Sequence, residues 1–189
     1  MQESKAHSEQ TIPLQTFKGK SIISISNGQI IGTVNDILID HKALTIAAIV
    51  TSKSTLLSRD IDVIPAAEIQ VWGEDVILVS GPIIIRKKEE APELAESLSV
   101  SGQIKRRNVF SLNGIRVGEI SDLVIDAEGN LVSYEFEKVT PGMAEVMVDS
   151  PEGDRKYLPL ELTHALGKDV LIVDLHKSQA KTVTPEIEE

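Results

Sequence analysis

Residues 27–40 read NGQIIGTVNDILID, and residues 113–126 read NGIRVGEISDLVID. At an offset of 86, six positions are identical, and four of the other eight exchange one apolar side chain for another. A second pair of blocks, residues 64–79 and 158–173, matches at an offset of 94 with five identities. Two matching blocks in the same order indicate a tandem duplication. The change of offset means that the second copy carries eight extra residues between positions 137 and 157.

Short β-branched segments make up each copy, which is typical of strands. Asn27-Gly28 and Asn113-Gly114 each follow such a segment. An Asn-Gly pair predicts a two-residue type I′ hairpin turn, because both central residues of that turn have positive φ. The return strand of the first copy then runs from residue 30 to residue 40.

The apolar alternation of each return strand changes phase once, near Asp36 in the first copy and near Asp122 in the second. A strand keeps one face buried through such a change only if it carries a bulge. The pattern therefore predicts a bulge at each aspartate. Gly32 and Gly118, just before the bulges, predict a sharp bend or a close backbone approach.

The remainder of each copy predicts a third strand over 44–51 or 131–139, and a fourth near 61–64 or 156–158. Pro65 and Pro159 then begin one helical turn, and a last strand covers 76–79 or 170–173.

This order of strands, with Gly-x-[Val/Ile]-x-Asp-[Ile/Leu]-[Leu/Val]-Ile-Asp in each copy, resembles the PRC-barrel family. That family includes the cytoplasmic domain of the H subunit of the purple-bacterial photosynthetic reaction centre and the C-terminal domain of a ribosome maturation factor. The resemblance implies an all-β fold of two tandem small β-barrels with short helical turns and a partly helical linker. It also implies binding or assembly rather than catalysis, without a common active site. The motif positions that we expect to define the fold are Asn27, Gly28, Gly32, Asp36, Asp40, Asn113, Gly114, Gly118, Asp122 and Asp126.

The predicted organisation has five parts. Residues 1–14 form a disordered lead-in, 15–85 the first barrel, 86–103 the linker, 104–176 the second barrel and 177–189 an acidic disordered tail. Within the linker, Pro92 favours a short helix. The linker is either a solvated connector or a helix that binds a partner.

The repeated aspartates leave two interpretations open. Asp36 and Asp122 could act as general bases or metal ligands, or they could accept hydrogen bonds from backbone N–H groups that a bulge leaves unpaired. Asp40 and Asp126 precede turns. The residues from Asp126 to Asn130 resemble part of a calcium loop, but the first copy has Lys42 where the second has Glu128, which favours an Asx turn.

No catalytic, cofactor or metal site is predicted. The chain contains no cysteine, which excludes a thiol nucleophile and a Cys-based metal site. The four histidines, His7, His41, His164 and His176, do not recur between the copies and show no metal-ligand spacing. Motifs of a nucleophile elbow or a phosphate loop are also missing. The sequence therefore indicates a non-enzymatic protein.

Charge and composition bear on the partners. The formal net charge is -10 and aromatic residues make up 3% of the chain, so the bulk properties disfavour nucleic-acid binding. Two basic trios, residues 86–88 and 105–107, flank the linker and could form one positive patch, although the glutamates between them favour a self-neutralised linker. The polar N-terminus and strand-length apolar runs predict a cytoplasmic protein without a transmembrane segment.

The extra residues of the second copy contain Met143, Val146 and Met147. They form either a longer hairpin on their own barrel or a contact surface for a protein partner, because loops on a rigid scaffold often bind. We expect an adaptor or assembly factor that binds a protein, in a membrane-associated or photosynthetic electron-transfer complex by family analogy. Any membrane association would then be peripheral and occur through the partner. The alternatives are a ribosome- or RNA-processing-associated factor and, third, a small-ligand binder or hydrolase.

Overall fold

The computed structural model describes residues 11–52, 61–81, 85–150 and 153–179. Strands dominate these residues and form two sheets. The first sheet contains β2 (Ser21–Ser24), β3 (Ile30–Asp40), β4 (Thr45–Ser52), β5 (Asp62–Pro65), β6 (Ile69–Trp72), β7 (Val76–Val79), β8 (Arg86–Lys87) and β9 (Leu98–Ser99). The second contains β1 (Ile12–Pro13), β10 (Asn108–Ser111), β11 (Arg116–Ile125), β12 (Leu131–Val139), β13 (Val148–Asp149), β14 (Lys156–Pro159), β15 (Thr163–Leu166) and β16 (Val170–Val173).

Both sheets have the same strand order. It runs β6-β7-β2-β3-β4-β5-β8 in the first sheet and β15-β16-β10-β11-β12-β14-β13 in the second. In the first sheet β2 pairs in parallel with β7, and in the second sheet β10 pairs in parallel with β16. The tandem all-β fold predicted from the repeated blocks is therefore confirmed.

Each sheet curls back on itself. In the second sheet, the hydroxyl of Tyr134 on β12 lies 2.8 Å from the hydroxyl of Thr163 at the start of β15. β12 and β15 are four places apart in the strand order of the sheet. The hydrogen bond between them therefore spans the inside of the curved sheet. Tyr134 is fully buried, and burial raises the pKa of its hydroxyl to about 12. The second sheet thus curls around apolar side chains, as in a small barrel.

The predicted bulges are confirmed. The pairing of β3 with β4 shifts register between Val34 and Asp36. The pairing of β11 with β12 shifts between Ile120 and Asp122. A close approach at Gly118 accompanies the second bulge, because a Cβ there would lie 2.3 Å from the carbonyl oxygen of Lys138.

The first hairpin of each repeat differs from the predicted type I′ turn. Gly28 and Gly114 have φ of +70° and +75°, but neither Asn27 nor Asn113 is among the residues with positive φ. The loops close through the N–H of Ser24 to the carbonyl of Gln29 and the N–H of Ser111 to the carbonyl of Ile115. They are thus longer than two residues, and one left-handed glycine suffices to reverse the chain.

The predicted proline turns are present as short 3₁₀ turns. The 3₁₀ turns Ala66–Glu68 and Leu160–Leu162 follow Pro65 and Pro159. Each turn leads directly into a strand, β6 or β15, which the sequence pattern did not indicate.

The linker is packed rather than solvated. Ala91 and Leu94 are buried with Leu38 of β3, Ala48 of β4 and Val63 of β5 in a small apolar cluster. This cluster is separate from the main core, which contains residues of both repeats. The helical part consists of 3₁₀ turns, Lys88–Glu90 and Pro92–Leu94, followed by a π-helical turn, Val100–Ile104. The interpretation of a solvated connector is therefore wrong for these residues.

The chain ends are described in part. Residues 11–14 are not the disordered lead-in that the sequence suggested, since β1 lies there and Leu14 begins the 3₁₀ turn Leu14–Phe17 with 2% of its surface exposed. Residues 1–10 and 180–189 lie outside the described residues, and the short helix His176–Gln179 follows β16. In the described ranges, no helix combines the length and apolar character needed to cross a membrane.

Candidate functional site

The segments that lead into the two repeats cross over. Residues 11–17, here called the arm, lead into β2 of repeat 1, yet β1 pairs with β11 of repeat 2. Residues 98–104, here called the crossing segment, lead into β10 of repeat 2, yet β9 pairs with β3 of repeat 1. Each repeat therefore adds a strand to the sheet of the other.

The two added strands occupy equivalent positions. Ile12 and Pro13 lie opposite Ile125 and Val124, whereas Leu98 and Ser99 lie opposite Ile39 and Leu38. These residues are related by the same offset of 86 that relates the sequence repeats. β2 pairs with the part of β3 before the bulge, and β10 pairs with the corresponding part of β11. The added strand pairs with the same edge beyond the bulge in each case.

The bulge aspartates bind the arm and the crossing segment through hydrogen bonds. Asp122 accepts the N–H of Gln15 in the arm at 2.8 Å, together with the N–H of Leu123 at 2.8 Å. Asp36 accepts the N–H of Ser101 in the crossing segment at 3.1 Å and the N–H of Ile37 at 2.8 Å. The interpretation of these aspartates as acceptors for bulge N–H groups is supported by Ile37 and Leu123. Their bonds to a segment of the other repeat are a second role that the sequence did not indicate.

The two aspartates differ in how completely their oxygens are used. Asp36 also accepts the hydroxyl of Ser101 at 2.8 Å and that of Ser99. The arm has Gln15 and Pro13 at these positions, so it offers no equivalent hydroxyls to Asp122. Asp122 is 1% exposed, and its burial raises the pKa of the carboxyl group to about 6, against the lowering effect of its two backbone hydrogen bonds.

A buried glutamate that pairs with a partly exposed arginine lies next to this aspartate. Glu135, on β12 opposite Asp122, is 3% exposed and accepts hydrogen bonds from Arg155 at 2.9 Å and from the hydroxyl of Ser121 at 2.8 Å. The negative charge of Glu135 raises the pKa of Asp122 further, whereas Lys105 lowers it.

A cavity of about 510 Å³ lies between the arm and the crossing segment. Apolar side chains from both segments and from β3 form much of its lining, and both bulge aspartates reach it. The lining residues used below are Leu14, Gln15, Thr16, Val100, Ser101 and Asp122. The cavity volume is within the range of small-molecule pockets. One side of the arm faces this cavity.

Trp72 ties the two repeats together on another side. Its ring packs edge-on against Phe17, with 5.0 Å between the ring centroids. A Cβ on Gly129, in the β11–β12 turn, would lie 2.3 Å from the indole nitrogen. The chain has one tryptophan, so its fluorescence reports on the contact between the repeats.

The hairpins at the start of each repeat expose apolar side chains. Ile25 and Ile30 are 54% and 63% exposed in the first hairpin, and Leu112 and Ile115 are 47% and 50% exposed in the second. A single exposed apolar residue is ordinary. Ile25 and Leu112 occupy equivalent positions, whereas Ile30 and Ile115 lie at different positions beside the same loop. The four side chains are here called the hairpin tips, which the sequence analysis did not single out.

The extra segment of the second repeat packs on its own sheet. Met147 is 8% exposed and belongs to the main core, and Met143 and Val146 pack against that core. Its strand β13 pairs with β14, with Val148 opposite Tyr157, and Val148 is 58% exposed. The longer hairpin is therefore present, and a partner surface at Met143, Val146 and Met147 stays a prediction.

The turn aspartates form Asx turns. Asp40 accepts the N–H groups of Lys42 and Ala43, at 2.9 and 3.0 Å, and these bonds lower the pKa of its carboxyl group. Asp126 accepts the N–H groups of Glu128 and Asn130, at 3.0 and 2.8 Å.

Three of the six residues in the basic trios are buried or lie beside carboxylates. Arg107 is 5% exposed and donates hydrogen bonds to the carbonyl oxygens of Gly167 and Gln103. Burial of its guanidinium group lowers the pKa of Arg107. Arg86 lies 3.6 Å from Glu93, and Lys87 lies 2.7 Å from Asp62. These contacts agree with a locally neutralised linker.

The histidines that the structure describes lie in three different elements. His41 contacts the carbonyl oxygen of Glu96 through Nδ1 at 3.1 Å, His164 is exposed on β15, and His176 begins the short C-terminal helix. His7 lies outside the described residues. Across the part of the chain that the structure describes, no group of three or more His, Asp or Glu side chains is placed to hold a metal ion.

Two curled sheets of the same strand order, joined by exchanged leading segments, define a tandem-barrel protein built by duplication. Residues 9–83 and residues 101–180 each match the PRC-barrel domain. The chain therefore belongs to the PRC-barrel family and carries two such domains. A comparison with curated proteins finds no match.

Proposed function

We propose that the protein is a non-enzymatic adaptor or assembly factor that binds a protein partner through the hairpin tips. The observation that supports this proposal most directly is the exposure of two large apolar side chains beside the first hairpin loop of each repeat, of which Ile25 and Leu112 occupy equivalent positions. Contiguous exposed apolar surface is typical of protein-binding sites. A duplicated surface also allows one partner to be held at two points, which raises the effective affinity without new contacts.

The partner that fits this surface is a protein with apolar notches within a basic surrounding. The net charge of -10 favours a basic partner and a faster encounter with it. The buried position of Arg107 and the paired positions of Arg86 and Lys87 argue against RNA as the principal ligand.

The experiment is affinity capture from a lysate of the source cells, with identification by mass spectrometry. Subunits of a membrane-associated or photosynthetic complex would support the first form of the proposal. Small-subunit ribosomal proteins would support the alternative of a ribosome-associated factor, and RNA captured without protein would contradict both.

A set of surface variants makes this experiment specific. Replacing Ile25, Ile30, Leu112 and Ile115 by Ser should abolish capture and leave the Trp72 emission and the melting temperature nearly unchanged. The matched control is Val71→Ser, because Val71 is 45% exposed but lies on β6, outside the hairpins. Capture that survives the fourfold variant would refute the assignment to the hairpin tips.

The extra segment is the second predicted contact surface. Val148→Ser tests it without disturbing the core, because Val148 is the large apolar residue that this segment exposes. Loss of capture in this variant would place the partner at β13 instead.

A further inference from the structure

The same kind of segment fills the same position on both repeats. Asp122 and the β11 edge at Val124 and Ile125, here called the arm slot, hold the arm. Asp36 and the β3 edge at Leu38 and Ile39 hold the crossing segment. The two occupants read Ile-Pro-Leu-Gln over residues 12–15 and Leu-Ser-Val-Ser over residues 98–101. They share a pattern of apolar, small, apolar and polar residues.

Each position of that pattern has a structural reason. The first residue pairs with the strand edge. The third is buried, with Leu14 2% exposed and Val100 7% exposed. The fourth gives its backbone N–H to the bulge aspartate, which does not depend on its side chain. Recognition of this kind, through main-chain bonds and pockets for alternate side chains, is how extended peptides add to a sheet edge.

We propose that the arm slot is a peptide-binding site, in which the arm is a replaceable ligand and a protein partner inserts an extended segment of the same apolar-small-apolar-polar pattern. The inference rests on the proposed protein-binding function and names a second site for it. The partner segment would supply an aliphatic residue where Leu14 lies and a backbone N–H where Gln15 lies.

The arm is held less firmly than the crossing segment. Two donors bind Asp122, whereas Asp36 accepts four hydrogen bonds. Gln15 and Thr16 are exposed and line the cavity, so one side of the arm is open to an incoming chain.

The test uses the full chain and a fluorescein-labelled peptide with the sequence of residues 11–17, TIPLQTF, followed by fluorescence anisotropy. Ile12→Asp in the protein weakens the arm as a competitor, because it places a charge at a half-buried position beside β11. We expect this variant to bind the peptide at least fivefold more tightly than the wild type. A peptide of the same composition in scrambled order should not bind.

The duplication provides the matched control. Adding Asp122→Asn to Ile12→Asp should weaken peptide binding about tenfold, because the acceptor of the Gln15 N–H loses its charge. Adding Asp36→Asn instead should leave peptide binding unchanged, since Asp36 serves the other slot. Equal effects of the two substitutions would contradict the assignment.

A disulfide can close the slot in the intact protein. The chain has no cysteine, and Pro13 lies opposite Val124, so Pro13→Cys with Val124→Cys can lock the arm in place. The oxidised protein should not bind the peptide, and reduction should restore binding. Peptide binding that is insensitive to the lock, or absent from the Ile12→Asp variant, would overturn the inference. Partner capture that requires the hairpin tips but persists in the locked protein would refute the arm slot and leave the proposed function standing.

Discussion

The two repeats complete the same edge of their sheets from different parts of the chain. In repeat 1 the outer strand beside β5 is β8, which comes from the linker after the last strand of the repeat. In repeat 2 the outer strand beside β14 is β13, which comes from the extra residues before β14. Val63 and Tyr157, at equivalent positions, pair with Arg86 and Val148. The difference shows that the fold requires a strand at this place and tolerates a change in the order of the chain.

The bulge aspartates form the second contrast. Asp36 is half-exposed and accepts four hydrogen bonds, whereas Asp122 is buried with two. Two copies of one motif thus place the same carboxyl group in different environments, because the crossing segment offers the hydroxyls of Ser99 and Ser101 where the arm has Pro13 and Gln15.

The largest effect that we predict is on the pH dependence of stability. Folding raises the pKa of Asp122 from 3.8 to about 6, mainly through burial. The protonated form is therefore favoured in the folded state. The stabilisation from this group is fully present below pH 3.8 and is lost as the pH rises through about 6. Its full extent is about 3 kcal/mol.

Urea unfolding of the wild type and of Asp122→Asn, followed by Trp72 emission between about pH 3.5 and 8, measures this contribution. The difference between their free energies of unfolding should change across pH 4 to 6, in the direction that favours the wild type at low pH. Glu135 and Lys105 also act on the pKa of Asp122. Both residues are present in the wild type and in the variant, so the difference between the two proteins isolates the titration of Asp122. A pH-independent difference would show that Asp122 titrates normally in the folded protein.

The next effect concerns the edge strand. Met147→Ala should lower the free energy of unfolding by about 2 kcal/mol, because it removes a buried side chain from the main core. Val148→Ala, next to it but 58% exposed, should change stability little. Chemical denaturation of the two variants gives the comparison. Equal, small effects would mean that the extra segment contributes little to the second barrel and is available for a partner.

Much of the fold could be predicted because the duplication reveals it. The bulges at Asp36 and Asp122 follow from a phase change that both copies share, and the Asx turns at Asp40 and Asp126 follow from local chemistry. The exchange of leading segments could not be predicted in this way. Periodicity identifies which face of a strand is buried, but it does not identify which of two equivalent edges a two-residue strand will join.

The structural role of the extra segment could not be predicted from the sequence for a related reason. An insertion present in one copy is compatible with a binding loop. It becomes a structural element only when β8 of the linker is seen at the equivalent edge of the other sheet. The hairpin tips were missed because an Asn-Gly pair predicts a two-residue loop, whereas the loops extend further than two residues.

A smaller effect tests the equivalence of the two leading segments. Gly19 and Arg106 occupy the same place before the first strand, with φ of +83° and +69°. Gly19→Ala should lower the free energy of unfolding by about 1 kcal/mol, because a side chain is disfavoured at positive φ, and no other atom lies within 4 Å of the new Cβ. Arg106→Gly should raise it by roughly 0.5–1 kcal/mol for the same reason. Thermal unfolding of both variants decides the matter, and opposite signs are the required result.

The smallest effect concerns the ion pair at each outer edge, whose signs are reversed between the repeats. Asp62 of β5 pairs with Lys87 of β8 at 2.7 Å, whereas Lys156 of β14 pairs with Asp149 of β13 at 2.5 Å. Asp149→Lys alone should lower the free energy of unfolding by about 0.5 kcal/mol, because partly exposed ion pairs are weak and the change brings two like charges together. Adding Lys156→Asp gives repeat 2 the charge order of repeat 1 and should recover most of that loss, which a double-mutant cycle at low salt can measure. If the second substitution adds to the loss instead, the edge recognises the particular side chains at 149 and 156, and the equivalence of β8 and β13 is limited to the backbone.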